Sequence, residues 1–284
     1  MSQIELQSLC VEAGESKFRG IQLFEWMYRH GIETFDSMLN VNKSFREHLK
    51  EHCIIQTLQV EKKIPSQKDQ SVKILFRTQD NHFIETVSMI DGDRHTVCLS
   101  SQAGCAFDCV FCATGRQGLE RNLSTGEIVD QLIFVRGNIK QPITNVVFMG
   151  MGEPFHNYEN VLNAADIFHS PKGFNLASTR ITISTAGLLP QIKQFIKEKR
   201  RYKLAISLNA ANNKIRNEIM PVNKKWPINE LIKAGKIYSN QKKRLIMFEY
   251  VLLKGVNDSK NDALKLAQLL KGIPCKLNLI PYNE

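Results

Sequence analysis

The stretch Gly104-Cys105-Ala-Phe-Asp-Cys109-Val-Phe-Cys112 holds three cysteines in the spacing C-x3-C-x2-C. Three thiolates on one short loop can bind three irons of a [4Fe–4S] cube and leave the fourth iron without a protein ligand. The amino and carboxylate groups of a methionine-type ligand can chelate an iron left open in this way. Gly104, just before the loop, suits a tight backbone path around a cluster. Two other readings compete. Zinc usually takes four ligands in paired C-x2-C units, and no second pair occurs in the chain. Cysteines that merely pack a core have no need of this spacing.

Strands and helices alternate around the loop. Probable strand patterns run over 96–100, 145–149, 180–184, 203–207, 245–253 and 276–280. Helical patterns lie between them, over 127–135, 189–197, 228–238 and 260–270. Ser124-Thr125-Gly126-Glu127 reads as a capping box opening the first of these helices. Six strands each followed by a helix imply a parallel sheet, here an α/β partial (β/α)6 barrel open on one side. Ligands on such a sheet gather at the carboxyl ends of the strands, and the cysteine loop follows the first strand.

Upstream, two other regions are expected. Residues 1–53 read as a small helical accessory domain, with Phe18, Ile21, Leu23, Phe24, Met27 and Tyr28 at three- and four-residue steps. Phe35, Met38, Leu39, Val41, Phe45 and Leu49 suggest one or two more short helices there. Residues 54–94 form a β-rich linker in which Val72, Ile74 and Phe76 alternate with polar neighbours, as do Phe83, Glu85 and Val87. The barrel takes residues 95–284.

Composition narrows the function classes. Of the 284 residues 38 are Lys or Arg and 28 are Asp or Glu, a net charge of +10, which favours a polyanionic partner such as nucleic acid or an anionic surface. The bland alternative is that the charge serves solubility, and the basic residues among the N-terminal helices are equally a solvated face or an RNA contact. No apolar run is long enough to cross a bilayer, and the first residues lack a secretory pattern, so a cytoplasmic protein without membrane contact is expected. Its seven cysteines then point to metal, catalysis or core packing more than to structural disulfides.

The spacing C-x3-C-x2-C is the signature of the radical S-adenosylmethionine superfamily. Cys98-Leu-Ser-Ser-Gln-Ala-Gly-Cys105, Cys112-Ala-Thr-Gly, Arg121-Asn-Leu, Phe148-Met-Gly-Met-Gly-Glu-Pro154 and Asn278-Leu-Ile-Pro-Tyr-Asn283 closely resemble the RlmN/Cfr family of RNA methyltransferases. The likeness runs from about residue 16 to the last residue. Gly152-Glu153-Pro154 looks like the RlmN branch, since the Cfr branch tends to carry Ala after the Glu.

The resemblance implies a radical-SAM barrel with a [4Fe–4S] cluster on Cys105, Cys109 and Cys112. It implies S-adenosylmethionine contacts at Gly152, Glu153, Ser184, Ser207, Leu208, Asn209 and Asn283. A carboxylate at Glu153 can accept from the methionine ammonium. Glu85 would be the proton acceptor, and Cys98 the cysteine that resolves a covalent protein–RNA intermediate by forming a disulfide. Taken alone, a strand glutamate more often faces solvent and a strand cysteine more often packs a core. The implied reaction is methylation of carbon 2 of adenine in 23S rRNA and tRNA. A first S-adenosylmethionine methylates a cysteine; a second yields a 5′-deoxyadenosyl radical that activates that methyl group. Carbon 2 is a poor nucleophile, which is why a radical cofactor is required. The implied partners are RNA and an electron donor such as flavodoxin or ferredoxin, acting on a monomer.

Two departures stand out. The family often has His at the position of Asn209. The chain ends at Glu284, before the family's methyl-carrying cysteine, and Cys10, Cys53 and Cys275 match no carrier position and read as structural. A truncated RlmN-type chain is expected ahead of a natural short form, and these 284 residues are expected to bind cluster and cofactor without completing turnover. Cfr-like methylation of carbon 8 and a non-catalytic cluster-containing RNA-binding protein are the alternatives.

Overall fold

The computed structural model describes residues 1–242 and 244–282. Two compact units are present, and they interleave along the sequence. The first takes residues 1–100, 123–146 and 159–181; the second takes 101–122, 147–158 and 182–284.

The first unit begins with α1 (Gln3–Glu12), started by a Ser2–Glu5 capping box. Next come α2 (Lys17–Phe24), which runs on as a π turn over Glu25–His30 and stops at left-handed Gly31, and α3 (Lys43–His52), capped by Asn42. Leu6, Cys10, Leu23, Phe24, Tyr28, Phe35, Met38, Phe45 and Leu49 are its buried apolar side chains. Phe18 and Leu39, expected in that set, instead face solvent at 61% and 82% exposure. Periodicity places a residue on a helix face, but it does not decide which edge of that face a neighbour covers.

Four antiparallel strands follow: β1 (Leu58–Pro65), β2 (Val72–Thr78), β3 (Phe83–Asp91) and β4 (Arg94–Cys98). On β3 the even positions Ile84, Thr86 and Ser88 are buried while Glu85, Val87 and Met89 are half-buried, as period-2 alternation requires.

In the second unit the cysteine loop leaves from β5 (Gln102–Gly104), passes through α4 (Ala113–Arg116) and returns on β6 (Leu119–Asn122), which pairs with β5 antiparallel. The first unit resumes with α5 (Thr125–Asn138), opened by the expected Ser124–Glu127 capping box. The strand β7 (Asn145–Phe148) and the helix α6 (Tyr158–His169) follow. The remaining order is β8 (Ile181–Thr185), α7 (Leu189–Lys197), β9 (Lys203–Ser207), α8 (Asn213–Ile219), α9 (Ile228–Lys242), β10 (Ile246–Leu252), α10 (Lys260–Leu270) and β11 (Cys275–Pro281).

Within the second unit β8, β9, β10 and β11 pair in parallel and in that order. Every residue of β8 is buried, although its sequence is Ile-Thr-Ile-Ser-Thr, because a parallel strand with helical crossovers is covered on both faces. The architecture is mixed α/β, with parallel strands alternating with helices and a small N-terminal helical region. Among the described residues no helix is long and apolar enough to cross a membrane.

Candidate functional site

A cavity of about 240 Å³ opens in the second unit, at the carboxyl ends of its parallel strands. One wall is the cysteine loop, with Cys105, Cys109 and Cys112. The other carries Gly152 and Glu153 after β7, Ser184 of β8, Ser207 and Asn209 at the end of β9, and Glu249 of β10. Among the described residues that line it there is no Lys, Arg or His. The lining therefore suits a ligand that carries positive charge, although the chain as a whole is basic.

Local chemistry shapes the loop. The backbone N–H of Cys105 donates to the carbonyl of Gly118 at 2.7 Å, closing the base of the excursion. Gly104 has φ +73, and a Cβ there would overlap the carbonyl oxygen of Gly118. Only glycine allows the two arms to come this close. Burial pushes the Cys105 thiol up to about 11 and the Cys109 thiol up to about 12. Such thiols stay protonated until a metal displaces the proton.

Three cysteines on one loop, facing a cavity bordered by carboxylates and hydroxyls, fit a cluster with one iron left for a ligand. Among the described residues, no group of three His, Cys, Asp or Glu side chains closes around a single metal ion. No disulfide joins any of the seven cysteines. The disulfide expected of Cys98 is therefore not seen.

Glu153 is 3% exposed, and both of its carboxylate oxygens already accept backbone N–H groups. Oε1 accepts from Phe155 at 2.9 Å and Oε2 from Ala186 at 2.6 Å. Burial nevertheless pushes its carboxyl up to about 7, because desolvation outweighs these bonds. The backbone N–H of Glu153 donates to Gln102 Oε1 at 2.8 Å, and Gly152 beside it has φ +96. A Cβ on Gly152 would lie 2.5 Å from the Gln102 Cβ. The glycine is thus needed both for its conformation and for the close approach.

Asn209 also lines the cavity, but its side chain is largely committed to the protein. Its Oδ1 accepts from the Val251 N–H at 2.9 Å and its Nδ2 donates to Met220 Sδ at 3.3 Å. Leu208 is fully buried, and its backbone N–H donates to the Glu249 carbonyl at 2.9 Å. Asn283 lies outside the described residues.

Glu85 and Cys98 belong to the first unit. Cys98 of β4 stands opposite Val87 of β3, so Cys98, Val87 and Glu85 share the half-buried face of this antiparallel pair. Glu85 pairs with Lys73 Nζ at 2.9 Å. The Ser100 hydroxyl donates to the Glu85 carbonyl.

Two residues of the site have no sequence motif. Arg216, fully buried on α8, donates through Nε to the Leu208 carbonyl at 2.9 Å. It also donates to Asn223 Oδ1 at 2.9 Å and to the Ala186 and Ser207 carbonyls at 2.6 and 2.9 Å. It ties the turn after β8 to the turn after β9. Burial lowers its guanidinium to about 10, so it remains charged. Glu249 is the second. Its only sequence signal is a charged residue inside the otherwise apolar strand Ile-Met-Phe-Glu-Tyr-Val-Leu.

Comparisons with known proteins show the family. The model of the radical SAM superfamily matches residues 99–267, and that of the ribosomal RNA large subunit methyltransferase N-terminal domain matches residues 1–55. A probable dual-specificity RNA methyltransferase RlmN of Alkaliphilus oremlandii is 44% identical, over 99% of this chain and 81% of its own length. A protein of the same name from Aquifex aeolicus is 46% identical, over 98% of this chain and 81% of its own length. The crystal structure of a radical SAM methyltransferase from Sphaerobacter thermophilus superposes with a TM-score of 0.95 at 41% identity, covering all of this chain and 84% of that one.

Proposed function

Because the chain belongs to the RlmN family of radical SAM RNA methyltransferases, we propose that it serves the methylation of carbon 2 of adenine in both 23S rRNA and tRNA, with none of these 284 residues matching the cysteine that carries the methyl group. The observation that carries the site assignment is the cavity itself. Three cysteines of one loop face Gly152, Glu153 and the strand-end hydroxyls, with no basic side chain among the described lining residues.

Cys105, Cys109 and Cys112 hold the [4Fe–4S] cluster. When bound, the cluster supplies the single electron that breaks a carbon–sulfur bond of S-adenosylmethionine. Glu153, already oriented by two backbone N–H groups, accepts from the methionine ammonium through a remaining lone pair. Ser184, Ser207, Asn209 and the backbone of Leu208 line the rest of the cofactor contact, and Asn283 completes it. Glu85 would take the proton from adenine carbon 2, and Cys98 would release the product by forming a disulfide with the sulfur of the methyl-carrying cysteine as that sulfur's bond to the adenine-borne carbon breaks, the electron pair of that bond and a proton going to the carbon. Their shared half-buried face on β3 and β4 supports this pairing of roles, since both side chains are open to a substrate.

Residues 1–53 contact RNA, which the match over 1–55 supports; the net charge of +10, which draws a polyanion to the protein as a whole, is carried outside that segment. A cytoplasmic monomer that draws its electrons from a flavodoxin or ferredoxin completes the proposal. The test is anaerobic cluster reconstitution of the full-length gene product. It is then incubated with S-adenosylmethionine, reductant and unmodified rRNA or tRNA, and the digested RNA goes to nucleoside mass spectrometry. 2-Methyladenosine is expected from both RNAs. 8-Methyladenosine, or adenosine left unmodified, overturns the proposal.

A further inference from the structure

Glu249 lies in the middle of β10 and is 5% exposed. Its Oε2 accepts from Asn278 Nδ2 at 2.6 Å. Its Oε1 is buried, and no described residue gives it a hydrogen bond. A carboxylate oxygen taken out of water without a donor is unfavourable, and because Glu249 itself lines the cavity, a turn of its carboxylate toward the cavity lets a ligand's donor satisfy that oxygen.

Strand register shows what surrounds it. Ser207 of β9 and Asn278 of β11 are the Cα partners of Glu249 on either side. Residues opposite one another in a sheet project to the same face, so a hydroxyl, a carboxylate and an amide form one polar row. Two residues further along that face, Val251 stands beside Ile280, and both line the cavity. A polar row followed by an apolar step matches a sugar followed by a flat base.

We propose that Glu249 reads the ribose hydroxyls of S-adenosylmethionine, with Ser207 and Asn278 as its flanking partners. Oε1 accepts from the ribose diol while Asn278 holds the carboxylate in the orientation this requires. A carboxylate is suited to the task because it only accepts, and each ribose hydroxyl can donate. The methionine ammonium is left to Glu153, which follows β7 and is held by the backbone N–H groups of Phe155 and Ala186. The inference rests on reading this cavity as the cofactor site.

Binding decides it, without turnover. Cluster-reconstituted protein is titrated calorimetrically with S-adenosylhomocysteine and with its 2′-deoxy and 3′-deoxy analogues. The wild type is expected to bind at least one deoxy analogue about 10- to 100-fold more weakly, the scale of a charge-assisted hydrogen bond. Glu249→Gln keeps the size of the side chain but removes the charge. It is expected to lose a similar factor for S-adenosylhomocysteine and to discriminate little between the three ligands. Glu249→Asp, which keeps the charge on a shorter stem, should fall between the two.

A wild type indifferent to both deoxy analogues overturns the inference whatever the variants do. Wild-type affinity in Glu249→Gln overturns it as well, as does an equal loss on all three ligands. Each of these leaves the cofactor site standing. A wild type that binds no S-adenosylhomocysteine at all brings down the cofactor site itself, and this inference with it.

Discussion

Charge is handled in opposite ways in two regions of this molecule. On the surface of the first unit it is paired and solvated: Arg19 with Glu15, Lys50 with Asp36, Lys73 with Glu85 and Arg77 with Glu61; Glu127 and Asp130 of α5 are that unit's buried exceptions. Around the cavity of the second unit it is buried and held mainly by dipoles. Arg216 is bound by three carbonyls and an amide, Glu153 by backbone N–H groups, and Glu249 by one amide. Exposed pairs are worth about 0–1 kcal/mol each. Buried charges cost several kcal/mol of desolvation and persist where position or ligand binding requires them. The exposed pairs of the first unit can thus be exchanged at little cost in stability, and the buried charges around the cavity cannot.

Four substitutions break or sharpen that contrast. The largest effect is expected from Cys109→Ala, which removes one of three thiolates from a cluster that has no spare ligand. Reconstituted protein should stay colourless, bind far less iron and form no 5′-deoxyadenosine. Full iron content by metal analysis would remove the cysteine loop from the site.

Arg216→Met comes next. It leaves four buried acceptors without their donor, each worth about 1–3 kcal/mol, offset in part by the desolvation that the guanidinium no longer suffers. A net loss of about 3 kcal/mol lowers the melting temperature by roughly 5–10 °C, followed by circular dichroism. An unchanged melt would mean that the two turns hold without this tie.

Gly152→Ala forces a side chain onto φ +96 and into Gln102. Strain of about 1–3 kcal/mol is expected, read as a roughly 5- to 100-fold weaker affinity for S-adenosylhomocysteine because Glu153 is displaced. The smallest effect belongs to Lys73→Ala. Its pair with Glu85 has side chains 43% and 41% exposed, so stability should change by less than about 1 kcal/mol, and by less still in high salt. A larger loss in chemical denaturation would make this pair part of the structure, contrary to the contrast drawn above.

Much of the fold could be read from local pattern. The helices expected over 189–197 and 260–270 are α7 and α10, and the strand expected over 203–207 is β9. Their signals are short-range: apolar spacing, Pro190 at the start of α7 and the Ser259 cap of α10. The β5 and β6 pair was not legible, because strands of three and four residues carry too few alternations. Strand β4 begins at Arg94, two residues before the expected start, where His95 and Thr96 are both buried and alternation is lost.

The site divides in the same way. Cysteine spacing is a property of one loop and legible in the sequence alone, whereas Gly152 is required by its own turn and also by the close approach of Gln102, which only the fold brings there. Arg216 and Glu249 gain their roles from partners far along the chain. Arg216 reaches Ala186, 30 residues away, and Glu249 reaches Asn278, 29 residues away. Only the parallel register that sets Ser207, Glu249 and Asn278 side by side turns an isolated acidic residue in an apolar strand into part of a binding row. The sequence by itself determined the cysteine loop, the alternation of strand and helix and the family. The tertiary structure decided which buried charges face the cavity, because desolvation and cross-strand neighbours exist only once the chain has folded.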